Sequence, residues 1–223
     1  MEVNFSFNIS PYLYKKNPES SIMGREIVSQ SIVLIDEQGI ENFTFRKLAH
    51  HTHHTEATIY RYFENKQKLF LYIVGWYWCY LDFLIDYKIQ NLEHPEKKIL
   101  EIISILSNNL ATPHLTTYYS IGKINTIVIR EGNKVYMNTH ISEINKIQLY
   151  KPYKDLCTKI SDIFKDYNPH YPFSNFLAST LLETSHLQTF FSENLPTLTN
   201  ETPLNKDLYI QSFLTDFIFK SLK

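Results

Sequence analysis

The spacing of apolar residues changes period early in this chain. Val3, Phe5, Phe7 and Ile9 alternate with Asn4, Ser6 and Asn8, the two-residue period of an extended strand. Pro11 and Pro18 punctuate the next stretch, with Lys15 and Lys16 between them, so residues 1–20 read as an arm. From Ser21 the period becomes helical. Ile22, Ile27, Val28, Ser31, Ile32, Leu34 and Ile35 share one face, and Gly39 supplies a stop signal. A short helix follows Thr44, a good N-cap, with Phe45, Leu48 and Ala49 at helical spacing. Residues 52–54 predict a turn, Thr55 caps a second short helix, and Asn65 closes it. A long apolar helix starts near Lys66.

The remainder keeps the helical period. Pro95 opens a helix to about Leu110, and Pro113 closes that region. Residues 116–130 predict another helix, ended by Gly132. One more runs from about Tyr136 toward Tyr150, where Pro152 must kink or restart the chain before Tyr167. The last two helices span about 173–192 and 204–222. Their apolar residues, among them Phe176, Leu187 and Phe191, then Phe213, Phe217 and Leu222, suit an interface of paired helices. No part of this body has strand period and no repeat is visible, so the fold class is all-α.

Composition narrows the choice without deciding it. The 223 residues suffice for one large domain or a small module joined to a larger one. Only five glycines argue against a turn-rich sandwich and against phosphate loops, and no Walker or dinucleotide fingerprint is present. The net charge of -1 excludes a polycation that coats nucleic acid, so any DNA contact must be a local patch. Cys79 and Cys157 lack metal spacing and read as buried thiols in a reducing, cytoplasmic setting. Residues 69–85 are apolar but interrupted by Gly75 and Asp82, which favours a buried central helix over a membrane span.

The most informative segment is residues 43–66, two short helices about a tight turn. In a helix-turn-helix the second helix lies in the major groove, and polar groups at its start meet base edges. Here Ile59 and Phe63 face inward at i, i+4, which leaves Thr55, Glu56, Thr58, Tyr60 and Arg61 outward. Gly39, Thr44, Arg46, Lys47, Leu48 and Ala49 precede that helix. The run Thr55-Glu56-Ala57-Thr58-Ile59-Tyr60-Arg61-Tyr62-Phe63, then Asn65-Lys66 and Leu69, completes a pattern that resembles the TetR family of regulators.

That resemblance covers residues 22–70, and the remainder carries no recognised motif. It implies a TetR-like all-α chain: a three-helix bundle with the helix-turn-helix, then a larger helical domain for effector binding and dimerisation. The corresponding segments are an arm at 1–20, a DNA-binding domain at 21–67 and an effector and dimerisation domain at 68–223; the arm reads as packed on its own body or a neighbour, with a Lys15/Lys16 contact to DNA flanking the site as the sharper alternative. It further implies a homodimer, joined through its last two helices, on a roughly palindromic double-stranded operator. A small effector would swing the helix that starts near Lys66 and release the DNA. Position by position, Thr44 would cap its helix and touch phosphate, Tyr60 would bind the backbone, and Lys66 would pair with phosphate. Thr55 and Thr58 would lie at the DNA surface, Arg46 would reach a base or phosphate, and Arg61 belongs to the same outward set.

His50, His51, His53 and His54 surround that turn, where the family has a small flexible residue followed by an apolar one. They read as a structural or DNA-proximal turn. Two sharper alternatives are a contact that strengthens as the rings gain charge at low pH, and a metal site. The metal site lacks a nearby cysteine. No enzyme signature, no cofactor motif and no metal set is expected. Candidate effector contacts are Trp76, Tyr80, Tyr118, Tyr119 and His186, with Trp78, His114 and Tyr153 beside them, lining a site for an apolar or aromatic molecule. Competing readings are a metal-dependent helical enzyme built on the histidines and a helical membrane or protein-interaction module.

Overall fold

In the computed structural model, residue 7 and residues 9–107, 110, 118–136, 150–200 and 206–223 are described. Among them the secondary structure is helical: α1 (Ile22–Asn42), α2 (Phe45–His51), α3 (Glu56–Tyr60), α4 (Lys66–Ile89), α5 (Pro95–Leu106), α6 (Ile121–Glu131), α7 (Asn133–Tyr136), α8 (Lys151–Tyr167), α9 (Ser174–Asn194) and α10 (Lys206–Ser221). The chain divides into two compact units, residues 1–80 with 111–152, and residues 81–110 with 153–223.

The first unit forms around α1. Its N-cap is Ser21, whose side chain accepts from the Gly24 amide at 3.1 Å. Ile27, Val28, Ile32 and Ile35 bury one face of the helix, which packs on α2 and α6, and Phe45, Leu48, Ile59, Phe63 and Leu69 are buried in the elements that follow. Gly39 interrupts α1 with φ 76°, a left-handed conformation that glycine adopts without steric penalty. The break frees the Ile40 amide, which donates to the Glu131 carboxylate of α6 at 3.1 Å. Further back along α1, Asp36 pairs with Lys123 of α6 at 2.8 Å.

The arm is packed. Ile9 and Leu13 are buried, and two short 3-10 turns, Pro11–Leu13 and Pro18–Ser20, carry it to α1. No strand is present among its described residues; Val3 and Phe5 lie outside them. Residues 116 and 117, His114 and the expected helix between Tyr136 and Tyr150 also lie outside. Tyr118 and Tyr119 precede α6 rather than belonging to it, because Ser120 takes the N-cap position there and accepts from the Lys123 amide.

In the second unit α10 packs on α9 and α5 through Ile210, Leu214 and Ile218. Pro152 falls in the first turn of α8, where a missing amide hydrogen costs nothing. Helix α4 is long and apolar enough to cross a membrane, yet 72% of its most apolar window is buried within the protein. Cys157, half-buried in the second unit, has its thiol pushed up to about 11 by burial.

Candidate nucleic-acid interface

Helices α2 and α3 are held apart by a turn that the sequence makes unusual. Thr52 caps α2, and His53 follows with φ 55°, the one non-glycine positive φ among the described residues. The His54 amide reaches back to the Ala49 carbonyl at 3.0 Å and the His53 amide to the His50 carbonyl at 3.4 Å. This paired arrangement satisfies the last carbonyls of α2 in the way a glycine normally allows, here with an imidazole side chain attached. His51 Nε2 lies 3.0 Å from Gln30 Oε1, and His54 Nε2 lies 3.4 Å from Glu26 Oε2. Those two rings therefore turn toward α1, while His50 and His53 are exposed. Among the described residues no group of three or more His, Cys, Asp or Glu side chains is placed to hold a metal ion.

Thr55 caps α3, its hydroxyl accepting from the Thr58 amide at 3.2 Å and meeting the Thr58 hydroxyl at 3.0 Å. Ile59 and Phe63 are fully buried, which fixes the rotation of this short helix. Thr55, Glu56, Tyr60 and Arg61 are consequently exposed and Thr58 half-exposed. Tyr60, 44% exposed, rests edge-on against Phe45 with ring centroids 5.0 Å apart, so its hydroxyl end is directed outward from a fixed ring. Tyr62 is the opposite case, buried, with its hydroxyl 2.8 Å from Ser21 Oγ.

Thr44 accepts from the Lys47 amide at 3.2 Å, as an N-cap should. Arg46 is exposed and has no ion pair among the described residues. Lys47 donates to Gln38 Oε1 at 2.9 Å and to the Asn42 carbonyl at 2.7 Å, fastening α2 to the end of α1. Lys66, expected at phosphate, makes other contacts in this structure. Its Nζ donates to the carbonyls of Ile40, Glu41 and Phe43 at 3.0, 3.0 and 3.3 Å. An ammonium has three protons, so this side chain is fully occupied in capping α1.

Residues 27–73 match the family model described as bacterial regulatory proteins, tetR family. Over that segment the chain is similar to the tetR family of bacterial regulatory proteins. Solved structures extend the likeness to the whole fold. AibR in complex with isovaleryl coenzyme A and operator DNA superposes with a TM-score of 0.59 at 13% identity, covering 87% of this chain and 98% of that one. Apo AibR gives 0.52 at 12%, covering 86% and 96%. A structure solved for the molecular basis of control of antibiotic production by bacterial hormones gives 0.59 at 12%, covering 90% and 98%. At such identities the likeness is one of fold, and that fold is the all-α TetR architecture. No curated protein is significantly similar to the chain.

The candidate effector contacts separate into three situations. Trp76, Tyr80 and Tyr119 come together in the first unit. Trp76 stacks on Tyr80 at 5.6 Å and meets Tyr119 edge-on at 5.2 Å, with Phe7 on another side at 5.1 Å. The indole N–H of Trp76 is buried there and has no acceptor among the described residues. Tyr118 stands apart, 44% exposed, under the Arg25 guanidinium at 4.5 Å. His186 belongs to the second unit, where burial pushes its pKa down to about 4.

One polar cluster at the edge of the matched segment has no counterpart in the sequence pattern. Tyr72 and Tyr119 both donate to Glu19 Oε1, at 3.0 and 2.6 Å, and Arg25 donates to the Glu19 carbonyl at 2.6 Å. The hydroxyls of both tyrosines are held protonated, their pKa values raised chiefly by burial and further by the Glu19 carboxylate. No local motif marks such a contact, since the two tyrosines lie 53 and 100 residues from Glu19 in the chain.

Proposed function

We propose that the protein is a dimeric transcriptional regulator that represses from a roughly palindromic operator and is released from it by a small molecule. The observation that carries this reading is the outward face of α3, set by the burial of Ile59 and Phe63. It presents Thr55, Thr58, Tyr60 and Arg61 together, with Thr44 and Arg46 on the neighbouring helix. In this assignment Thr58 and Arg61 read bases, whereas Thr44, Thr55 and Tyr60 position the phosphate backbone and Arg46 reaches either. Lys66 supports them from inside by holding the end of α1.

Residues 21–67 then serve as the DNA-binding domain, with the arm before them and an effector and dimerisation domain at 68–223. The last two helices support a homodimer. Phe176 (74% exposed), Leu187, Leu208 (65%) and Phe213 lie on their outer faces, more apolar surface than a solvated helix pair needs. An effector with an apolar or aromatic body and an oxygen acceptor suits Trp76, Tyr80 and Tyr119, because the buried Trp76 N–H meets no acceptor among the described residues. AibR was solved with isovaleryl coenzyme A and operator DNA, which makes that thioester a first compound to try against this chain.

The test is a variant series on a selected operator at fixed salt. Tyr60→Phe should weaken binding alike on all sequences, and Thr58→Ala or Arg61→Ala should relax preference at particular base pairs. If Thr58 and Arg61 variants leave sequence preference untouched, α3 is not the reading head.

A further inference from the structure

The arm places two lysines beside the end of the recognition helix and holds them there. The Lys15 amide donates to the Tyr62 carbonyl at 2.7 Å, and the Lys16 ammonium lies 5.2 Å from the Tyr62 ring centroid. Tyr62 directly follows Arg61, and its own hydroxyl is tied to Ser21. The backbone around the pair is fixed on both sides, by buried Leu13 before it and buried Pro18 after it. Both lysine side chains are exposed, and neither makes an ion pair among the described residues.

Two neighbouring acids make their short contacts with other groups. Glu64 pairs with Lys68 at 2.6 Å, the main cause of its lowered pKa, and the charge of Lys15 is a smaller cause without a direct ion pair. Glu19 turns its carboxylate to Tyr72 and Tyr119. Lys15 and Lys16 are thus exposed cations at one edge of the unit, held on Tyr62, the residue that follows exposed Arg61, on a chain whose net charge is only -1. Such an edge fits a polyanion that also touches α3.

We propose that Lys15 and Lys16 make a second DNA contact, with the phosphate backbone that flanks the half-site read by α3. The contact rests on the regulator reading and adds to it a sequence-independent clamp outside the helix-turn-helix. Because the arm is already ordered on Tyr62, little chain entropy is lost when it meets the duplex.

The full-length protein is titrated with its selected operator duplex across a range of salt concentrations. Each phosphate contact contributes about 0.9 to the slope of log K against log salt. Lys15→Gln/Lys16→Gln therefore lowers that slope by about 1.8 for each bound arm, with base preference and thermal stability unchanged. The single variants give about half of this each. Lys97→Gln/Lys220→Gln, which removes the same charge from α5 and α10, leaves the slope at the wild-type value. Trimming the base pairs that flank the half-sites weakens the wild type and not the double variant. An unchanged slope in the double variant, with wild type binding normally, overturns the clamp alone. An equal drop in the Lys97/Lys220 control overturns it too. A wild type that selects no duplex at all overturns the regulator reading together with the clamp.

Discussion

Tyr119 donates a 2.6 Å hydrogen bond to the carboxylate of Glu19, joining the entry of α6 to the arm that leads into α1. Tyr72 of α4 shares the same oxygen at 3.0 Å. Three segments that are far apart in sequence therefore meet on one acceptor within the first unit. Hydrogen bonds to a charged group contribute about 1.5–3 kcal/mol when buried and aligned. Tyr119→Phe should lower unfolding free energy by about 1–2 kcal/mol, read by denaturant titration. Glu19→Gln should cost at least as much, and the double variant less than the sum of the two. Strict additivity would show that the contact contributes nothing of its own.

Lys66 separates two roles that the sequence alone cannot tell apart. With three carbonyl acceptors already in place, Lys66→Ala should lose about 1–3 kcal/mol of stability by leaving the end of α1 uncapped. The slope of operator affinity against salt should stay near the wild-type value. A stable variant with a flattened salt slope would return this lysine to the phosphate.

His53 sits at φ 55°, where a Cβ atom is strained and glycine is not. His53→Gly should therefore be neutral to stabilising, by up to about 1 kcal/mol, with operator preference retained. Thermal unfolding and a binding isotherm on the same sample check both halves. A destabilised His53→Gly protein would mean that the imidazole makes a contact outweighing its backbone strain.

His186 gives the protein a pH-dependent stability. Burial lowers its pKa to about 4, so the folded state resists a proton that the unfolded chain, near 6.5, accepts. The stability is full above about pH 6.5 and is lost as pH falls toward 4, by an amount on the order of 2 kcal/mol at pH 5. His186→Gln should flatten this part of the stability curve relative to wild type. Parallel curves for the two proteins between pH 7.5 and 5 would refute the assignment.

Whether a feature is legible in the sequence depends on its range. The caps Thr44 and Thr55, the break at Gly39 and the inward pair Ile59 and Phe63 are local signals, and each is found where the pattern puts it. The apolar spacing starts α6 five residues too early, because Tyr118 and Tyr119 continue a pattern that Ser120 then caps. Lys66 and Glu19 are not legible in their actual contacts. Their partners lie between 23 and 100 residues away, and no periodicity encodes which carbonyl or hydroxyl a charged side chain will meet. The aromatic residues of α4 show the same limit. Spacing marks Trp76 and Tyr80 as buried, but only the packed structure shows that the Trp76 N–H meets no acceptor among the described residues.

Footprinting tests whether the outward face of α3 reads DNA. Genomic fragments are selected with the effector-free, folded protein at stated salt, and the bound fragments are then probed for protection. Two related half-sites are expected, with centres about one helical turn, or a multiple of it, apart on one face of the duplex. Protection that is absent, or that shifts at random among fragments with no shared sequence, would contradict this reading.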